Sequence, residues 1–420
     1  MNSEISLILR IIELWWWVPM PFILYWRAQE LYLWWRQEVW FDKLDYILLE
    51  IKIPKEVSKP LRAMEQVLNS IWGVIYDPPG TWKEKWINGQ HLISFSLEVI
   101  GIDGIPHFFI RIPKIHRRVI ESCIYSQYPE VEISLADDYT KYVPQDIPNK
   151  DWDIWGNDFR LVNEDIYPIK TYSKFFEEKI EIKEEKRLDP VAALLEALGK
   201  LKKGEQFWIQ IIAKPLLTEG GFRERVKAKV DKLVNRPEAP KQKLIVQGAA
   251  DILIKGEPPG MLPEKKEEII PPEMRLTPGE REIVSAIEEK VSKHIFDVNI
   301  RAIYIAKRDV WYKPRVKTIF GFLGQFASMH LNAFKPLAKT KTKIVYWFKK
   351  RRLYYRQRRM FAKYKARVSP LFPFSGGTYV LNSEELATMF HFPSRVTAPA
   401  PFVPRIEAKK GEAPPGLPTE

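Results

Sequence analysis

LISFSLEVIGIDGIPHFFIRI, residues 92–112, is the stretch that decides the fold class. Leu92 to Ile100 and His107 to Ile112 read as two strands, and the GIDG at Gly101–Gly104 supplies residues that tolerate the positive φ of a tight hairpin. On its N-terminal side, Tyr46 to Pro54 (YILLEIKIP) alternates apolar and polar after Leu48 and stops at a proline, the pattern of a strand. Pro60 suits a first helical turn, where no N–H is needed. It opens LRAMEQVLNSIWGV, with Leu61, Met64, Val67, Leu68 and Ile71 at helical spacing. On the C-terminal side, Ile115 to Tyr128 has helical spacing and Val131 to Leu135 is a strand. The order βαββαβ is that of a split-βαβ, ferredoxin-like unit, in which two helices cover one face of an antiparallel sheet.

The pattern loosely recurs further on. Asp151 to Arg160 reads as an aromatic, acidic connector, and Ile166 to Tyr172 as a strand. Asp189-Pro190 pairs an N-cap with a proline at the first helical position and launches VAALLEALGKL. Gln206 to Lys214 is a strong strand, Gly221 to Asn235 a charged helix, and Arg236 to Pro272 a mobile insertion rich in Pro, Lys and Glu. Thr277-Pro278-Gly279-Glu280 caps a helix running to Lys293, Asn299 to Lys307 is a strand, and Lys317 to Phe334 is a helix. A duplication of one α+β unit is the natural reading. The expected chain is therefore α+β: a membrane-associated aromatic helix or hairpin over 1–43, then ferredoxin-like modules over 44–150 and 151–335. A basic amphipathic helix over 336–370 follows, then a strand–helix motif over 371–396 and a Pro-rich tail over 397–420.

Tryptophan marks the N-terminus. Leu14 to Trp26 is an uncharged apolar run of thirteen residues, short for a hydrocarbon core of about 30 Å. Extension back to Ile5 reaches 22 residues and takes in Arg10 and Glu13, which share a helical face and can pair. Pro19 and Pro21 predict a kink or break. Trp15, Trp16, Trp17, Trp26, Trp34, Trp35 and Trp40 resemble the aromatic belts that settle where bilayer meets water. Membrane association is expected, with spanning and interfacial lodging both open. Packing of an aromatic hairpin on the protein's own core is the competing reading. If the segment spans, Arg27, Arg36 and Lys43 put the bulk of the chain in the cytoplasm. No basic n-region or small-x-small site marks a cleavable signal peptide.

The net charge of +13 comes from one place. Val310 to Ser383 holds seventeen Lys and Arg and no Asp or Glu, and the remainder is slightly acidic at −4. Within it, Tyr346 to Arg367 reads YWFKKRRLYYRQRRMFAKYKAR. Tyr346, Leu353 and Met360, with Trp347, Tyr354 and Phe361, step by seven and form one aromatic stripe on a helix. Lys349, Lys350, Arg351, Arg352, Arg356, Arg358, Arg359, Lys363, Lys365 and Arg367 cover the rest. Such a surface suits nucleic-acid phosphates beside stacked bases, or an anionic leaflet or acidic partner, or is a solvated helix with a core-facing stripe.

Signatures of chemistry are missing. There is no GxxxxGK[ST] phosphate loop: Gly199-Lys200 lacks the upstream glycine spacing and the hydroxyl residue. HExxH, GxSxG and CxxC do not occur, and the six histidines are scattered. Asn149, Asp151 and Asp153 begin a calcium-loop pattern that fails at Ile154 and Arg160, so they read as turn caps. Cys123 stands alone, which excludes an internal disulfide and a cysteine zinc site. A non-enzymatic protein without a cofactor is expected.

Separate stretches, read together, carry a resemblance. They are Leu49–Pro54, Met64–Val67, Ser122–Glu130, Trp155-Gly156, Leu381–Pro393 (LNSEELATMFHFP) and Glu407–Glu412. From about residue 44 onward the chain is similar to an uncharacterised domain that precedes, or is encoded beside, ATPases of the HerA and type IV coupling-protein kind in small-genome candidate-phyla bacteria. The nucleotide-binding domain is not among these 420 residues, so ATP hydrolysis is not carried over. The resemblance implies a membrane-anchored accessory subunit of a type IV secretion or conjugation-like machine, docking a separately encoded ATPase. Glu384, Glu385 and His391 of the EELA…HFP stretch are the docking candidates it points to. The alternative is a DNA- or RNA-binding protein that acts through the 310–383 segment without a motor.

Overall fold

The computed structural model describes residues 13–18, 20–54, 60–174, 189–216, 221–234, 276–345, 347–372, 376–393 and 405–406. The expected insertion at 236–272, most of the Pro-rich tail, Arg10 and Tyr346 lie outside the described residues. A 23-residue helix, α1 (Met20–Asp42), precedes the sheet. The first half follows as β1 (Tyr46–Pro54), α2 (Leu61–Ile75), β2 (Phe95–Ile102), β3 (Ile105–Pro113), α3 (Arg117–Gln127) and β4 (Glu132–Ala136). The second half opens with β5 (Trp152–Leu161), α4 (Ala192–Gly199) and β6 (Glu205–Pro215). It goes on through α5 (Phe222–Leu233), α6 (Pro278–Ser292), β7 (Ile295–Lys307), α7 (Lys317–Gly324) and β8 (Phe334–Pro336). α8 (Lys349–Ala366), β9 (Tyr379–Asn382), α9 (Ser383–Met389) and the two-residue β10 (Arg405–Ile406) close the described chain.

β1 to β9 form one antiparallel sheet, and β10 pairs in parallel with the end of β1. Its order is β4-β1-β3-β2-β6-β7-β5-β8, with β9 on the free end of β7. Each half therefore places its four strands in the same relative order. The halves meet along β2 and β6, paired from Phe95↔Ala213 to Ile102↔Gln206. An edge strand leaves a row of N–H and C=O groups unpaired, and joining two edges satisfies both. The expected modules are thus parts of one sheet, and the expected 371–396 motif is built into it. The hairpin turn is Asp103-Gly104, both at positive φ, and the Asp103 carboxylate accepts from the Gly204 N–H of the second half at 2.7 Å.

Strand alternation sends side chains to two faces. On one face Leu49, Leu97, Phe207, Ile209, Val298 and Ile300 meet the apolar sides of α2, α3, α4, α7 and α9 in the main core. Met64, Val67, Leu68, Ile71 and Ile75 of α2 are all buried there, each contributing roughly 1.5–3 kcal/mol over an exposed position. A smaller core joins α5 and α6 through Phe222, Val226, Val230 and Ile287. The opposite face carries Ile100, Phe109, Ile154, Trp208, Ile303 and Ile305, covered by Tyr139 and by Met360, Phe361 and Tyr364 of α8.

Three sequence expectations need correction. Trp152–Leu161 is strand β5, where a connector was expected. Its Gly and Asn mask the alternation, yet Ile154 and Phe159 point to opposite cores. Ile166 to Tyr172 is no strand: Ile169 N–H donates to Glu385 and Tyr172 N–H to Thr388, so α9 side chains replace a ladder. The helix expected over Lys317–Phe334 ends at Gly324, and Phe334 begins β8. The break expected near Pro19 and Pro21 is present: residues 13–15 are helical, 16–18 form a turn, and α1 starts at Met20. Pro21 sits in the first turn of α1, where the missing N–H does no harm, while Pro19 lies outside the described residues.

Candidate functional site

The aromatic and cationic residues singled out by sequence lie on α1 and α8. α8 crosses the second face of the sheet and treats its two ends differently. Glu98, Gln210, Arg301 and Asp158 stand side by side on β2, β6, β7 and β5, a polar row across the seam between the halves. Such a row is tolerable inside a protein only when each charge is paired. Arg301 Nε donates to Asp158 at 2.6 Å, and Arg301 Nη2 to the Val368 carbonyl at 3.1 Å. Arg367, just past α8, donates to Glu98 at 2.8 Å and to Asp138 at 2.8 Å. Ser96, Tyr139 and Gln210 also donate to Glu98, at 2.7, 2.7 and 2.9 Å.

Burial by itself pushes the Glu98 carboxyl up, but the Arg367 guanidinium and the hydrogen bonds outweigh it and hold it below the usual range. Asp138 follows the same balance. For Arg367, burial opposes the charge and Glu98 reverses that effect, leaving the guanidinium more firmly protonated than usual. Arg367 is therefore no polyanion contact, as the sequence reading had it; it is an internal counterion. Arg356, Lys363 and Lys365 are also engaged, with the Lys341 carbonyl at 3.1 Å, the Pro370 carbonyl at 2.5 Å and Gln145 at 2.7 Å.

The expected aromatic stripe holds only in part. Met360 and Phe361 are buried, and Gln357 anchors the middle of α8 by donating to Asp153 at 3.0 Å. Gly156 of β5 lets this helix approach, since a Cβ there would sit 2.6 Å from Met360 Cγ. Trp347 and Tyr354, by contrast, are exposed. Along the helix, Gln357, Met360, Phe361 and Tyr364 are buried, whereas the first turn, Lys349–Arg352, is exposed. Lys349, Lys350, Arg351, Arg352, Arg358 and Arg359 are all exposed. Arg358 sits 5.4 Å over the Tyr354 ring and Arg351 5.9 Å over Tyr355. Val345 and Phe348, which sequence reasoning missed, belong to the same exposed end. The available signal was an apolar Val-Tyr-Trp-Phe run abutting four consecutive cations.

α1 is attached by its C-terminal part. Arg36 donates to the Ile87 carbonyl, Trp40 packs on the main core, and Phe41 meets His91 edge-on at 6.2 Å. Gly89, at φ +72°, permits the contact: a Cβ would fall 2.2 Å from the Arg36 carbonyl oxygen. Burial lowers His91 to about 4, with Lys214 adding to the effect. Trp34 touches Phe372 at 6.2 Å between ring centres. Beyond these contacts Trp15, Trp16, Trp17, Trp26 and Trp35 are exposed, Trp26 to 71%. Among the described residues, no helix is long and apolar enough to cross a membrane.

The docking candidates need correction. Glu384, Glu385 and His391 are buried and present no surface to a partner. Glu385 completes the α9 capping box with Asn382 and pairs with Lys290 at 3.1 Å. Glu384 meets Lys293, and His391 meets Asp189 at 2.8 Å, tying α9 to the start of α4. Burial raises the Glu385 carboxyl above its usual range despite Lys290. The Asn149 carbonyl oxygen of the side chain accepts from the Asp151 and Trp152 N–H groups at 3.0 and 2.7 Å, the turn cap expected of it. Among the described residues, no three His, Cys, Asp or Glu side chains are grouped to hold a metal ion.

No curated protein matches the sequence. One family model does, described as a domain of unknown function (DUF8128), over residues 43–397. That span begins where α1 ends and takes in β1 to β9 and α8. The chain therefore belongs to the DUF8128 family, a domain of unknown function.

Proposed function

We propose that this protein is a non-catalytic accessory subunit held at a membrane by its tryptophan-rich N-terminal segment, presenting its α+β body to a separately encoded ATPase. The observation that carries the reading is α1: a 23-residue helix docked through Arg36, Trp40 and Phe41, with Trp26 and Trp35 left in solvent. Solvent-facing tryptophan over that length is unfavourable in water and favourable at a lipid headgroup boundary. The arrangement favours lodging in the interface, and the cytoplasmic side for the body rests on the basic residues Arg27, Arg36 and Lys43 and on the segment spanning.

The ATPase partner, of the HerA or type IV coupling kind, rests on the sequence resemblance. We read each half of the sheet as a ferredoxin-like unit and the pair as an internal duplication, a reading supported by their common strand order. A repeated unit fused edge to edge is a scaffold architecture, suited to holding partners in register. The test is affinity purification from detergent-solubilised native membranes with mass spectrometry of co-purifying proteins. Recovery of such an ATPase is the expected result. A soluble protein carrying nucleic acid and no ATPase overturns the proposal.

A second reading, nucleic-acid binding without a motor, is favoured by the Arg358–Tyr354 and Arg351–Tyr355 pairs on the exposed end of α8. Binding of that kind weakens with salt at a log–log slope of about −0.9 per neutralised duplex phosphate. An affinity insensitive to salt removes this reading.

A further inference from the structure

The start of α8 keeps a set of side chains that its own fold disfavours. Trp347 is 86% exposed, Phe348 75% and Val345 67%, and together with Lys349, Lys350 and Arg351 they bound one open hollow. Phe348 is also held at φ +58°, ψ +37°, a left-handed conformation that costs a bulky L-residue roughly 1–2 kcal/mol. The first turn, Lys349–Arg352, is wholly cationic, with no acidic residue. Cations belong at the other end of a helix: unpaired N–H groups already make the N-terminus positive. An anionic surface lying against this turn relieves the repulsion and meets four charged side chains at once.

Two classes of polyanion carry the charge, and the apolar trio separates them. Nucleic acid offers base faces to Trp347 and Phe348 but no more than a thymine methyl to Val345. The boundary between lipid headgroups and acyl chains receives all three, and it places phosphates within reach of the adjacent cations.

We propose that Val345, Trp347 and Phe348 together with Lys349–Arg352 are a membrane foot. Val345, Trp347 and Phe348 enter the headgroup–acyl boundary of an anionic phospholipid bilayer, and Lys349, Lys350, Arg351 and Arg352 lie on its phosphates. The foot deepens the membrane reading above by naming a second contact and its lipid class, and it does not depend on α1.

The test uses the full chain with Cys123→Ser and Trp347→Cys, labelled at position 347 with an environment-sensitive dye. Phosphatidylcholine vesicles are compared with vesicles that also contain phosphatidylserine. The expected result is a blue shift with the anionic vesicles that reverses at high salt. Replacing Lys349, Lys350, Arg351 and Arg352 by Gln is expected to weaken the shift's apparent affinity at least about tenfold. A dye placed instead at Met329, which is fully exposed, stays aqueous.

The proposal is overturned if the dye at 347 stays aqueous with anionic vesicles, if the dye at 329 responds equally, or if only a single-stranded oligonucleotide produces the shift. Flotation with pure phosphatidylcholine vesicles tests the α1 anchor separately. A chain that floats, yet keeps position 347 aqueous with anionic vesicles, keeps the anchor and loses the foot. A chain that does not float, yet shifts with anionic vesicles, keeps the foot and loses the anchor.

Discussion

Residues 345–356 and 357–367 share one composition, dense in Lys, Arg and aromatic rings, and the structure gives them opposite roles. In the second stretch Met360, Phe361 and Tyr364 are buried and Arg367 is the counterion of Glu98 and Asp138. In the first, Trp347, Phe348 and Tyr355 face solvent beside the exposed cations of the first turn. Position over the sheet makes the difference. Over the sheet Arg367 finds the carboxylates of Glu98 and Asp138, whereas the cations of the first turn, Lys349–Arg352, are exposed. Charge density alone therefore says little about which residues of a basic helix meet a partner.

Substitution at Arg367 should break the contrast most sharply. Arg367→Met leaves Glu98 buried and without its counterion, an effect of about 3–5 kcal/mol in denaturant unfolding. Lys350→Ala, by comparison, should change stability by less than about 0.5 kcal/mol. Equal effects at the two sites would dissolve the distinction.

Acid should act on the same network. Glu98 and Asp138 are held below the usual carboxylate range in the folded protein, so their stabilisation is fully present at neutral pH. It is lost as the pH falls through their folded-state values, which lie below the usual carboxylate range. Arg367→Met should invert the sign for Glu98: burial is then opposed only by the hydrogen bonds from Ser96, Tyr139 and Gln210 and raises that carboxyl, so mild acidification from neutral stabilises the variant. Thermal melts of both proteins across pH 4 to 7 would check this, and parallel profiles would count against the assignment.

Gly156→Ala should have an intermediate effect, about 1–3 kcal/mol, because its Cβ meets Met360 Cγ at 2.6 Å and lifts α8 from β5. Hydrogen exchange should report the loosening at Gln357–Tyr364 and leave the rest of the sheet protected. The smallest effect concerns the exposed end. Lys349→Glu with Lys350→Glu should stabilise α8 by about 0.3–1 kcal/mol per site at low salt, fading as salt rises. If those reversals destabilise the protein, the first turn already has an internal anionic partner and the contrast fails there.

Much of the sheet was legible locally. YILLEIKIP, the 92–112 hairpin and QFWIQIIAK announce strands by alternation and turn chemistry. β5 was not legible, because Gly156, Asn157 and Asp158 are poor strand formers; two of them answer to distant partners, since Met360 approaches Gly156 and Arg301 pairs with Asp158. Ile166–Tyr172 misled in the opposite sense, having strand composition but its backbone bonded to α9 side chains more than two hundred residues away. The EELA…HFP stretch was recognised for its residues and assigned the wrong environment. Its capping box is visible in sequence, whereas the Lys290 and Asp189 partners that bury it are not.

For the candidate surface, residue types were legible and accessibility was not. The sequence by itself determined the strands and helices with a clear period, the caps at Thr277 and Asn382, and the confinement of positive charge to one segment. Each of these depends on neighbours within a few residues, which the chain order specifies directly. Tertiary structure alone decided that two halves share one sheet along β2 and β6, and that α8 crosses their seam. It also decided which end of that helix is left free. Those outcomes depend on which distant groups satisfy a buried charge or an unpaired edge, a choice made only once the chain has closed upon itself.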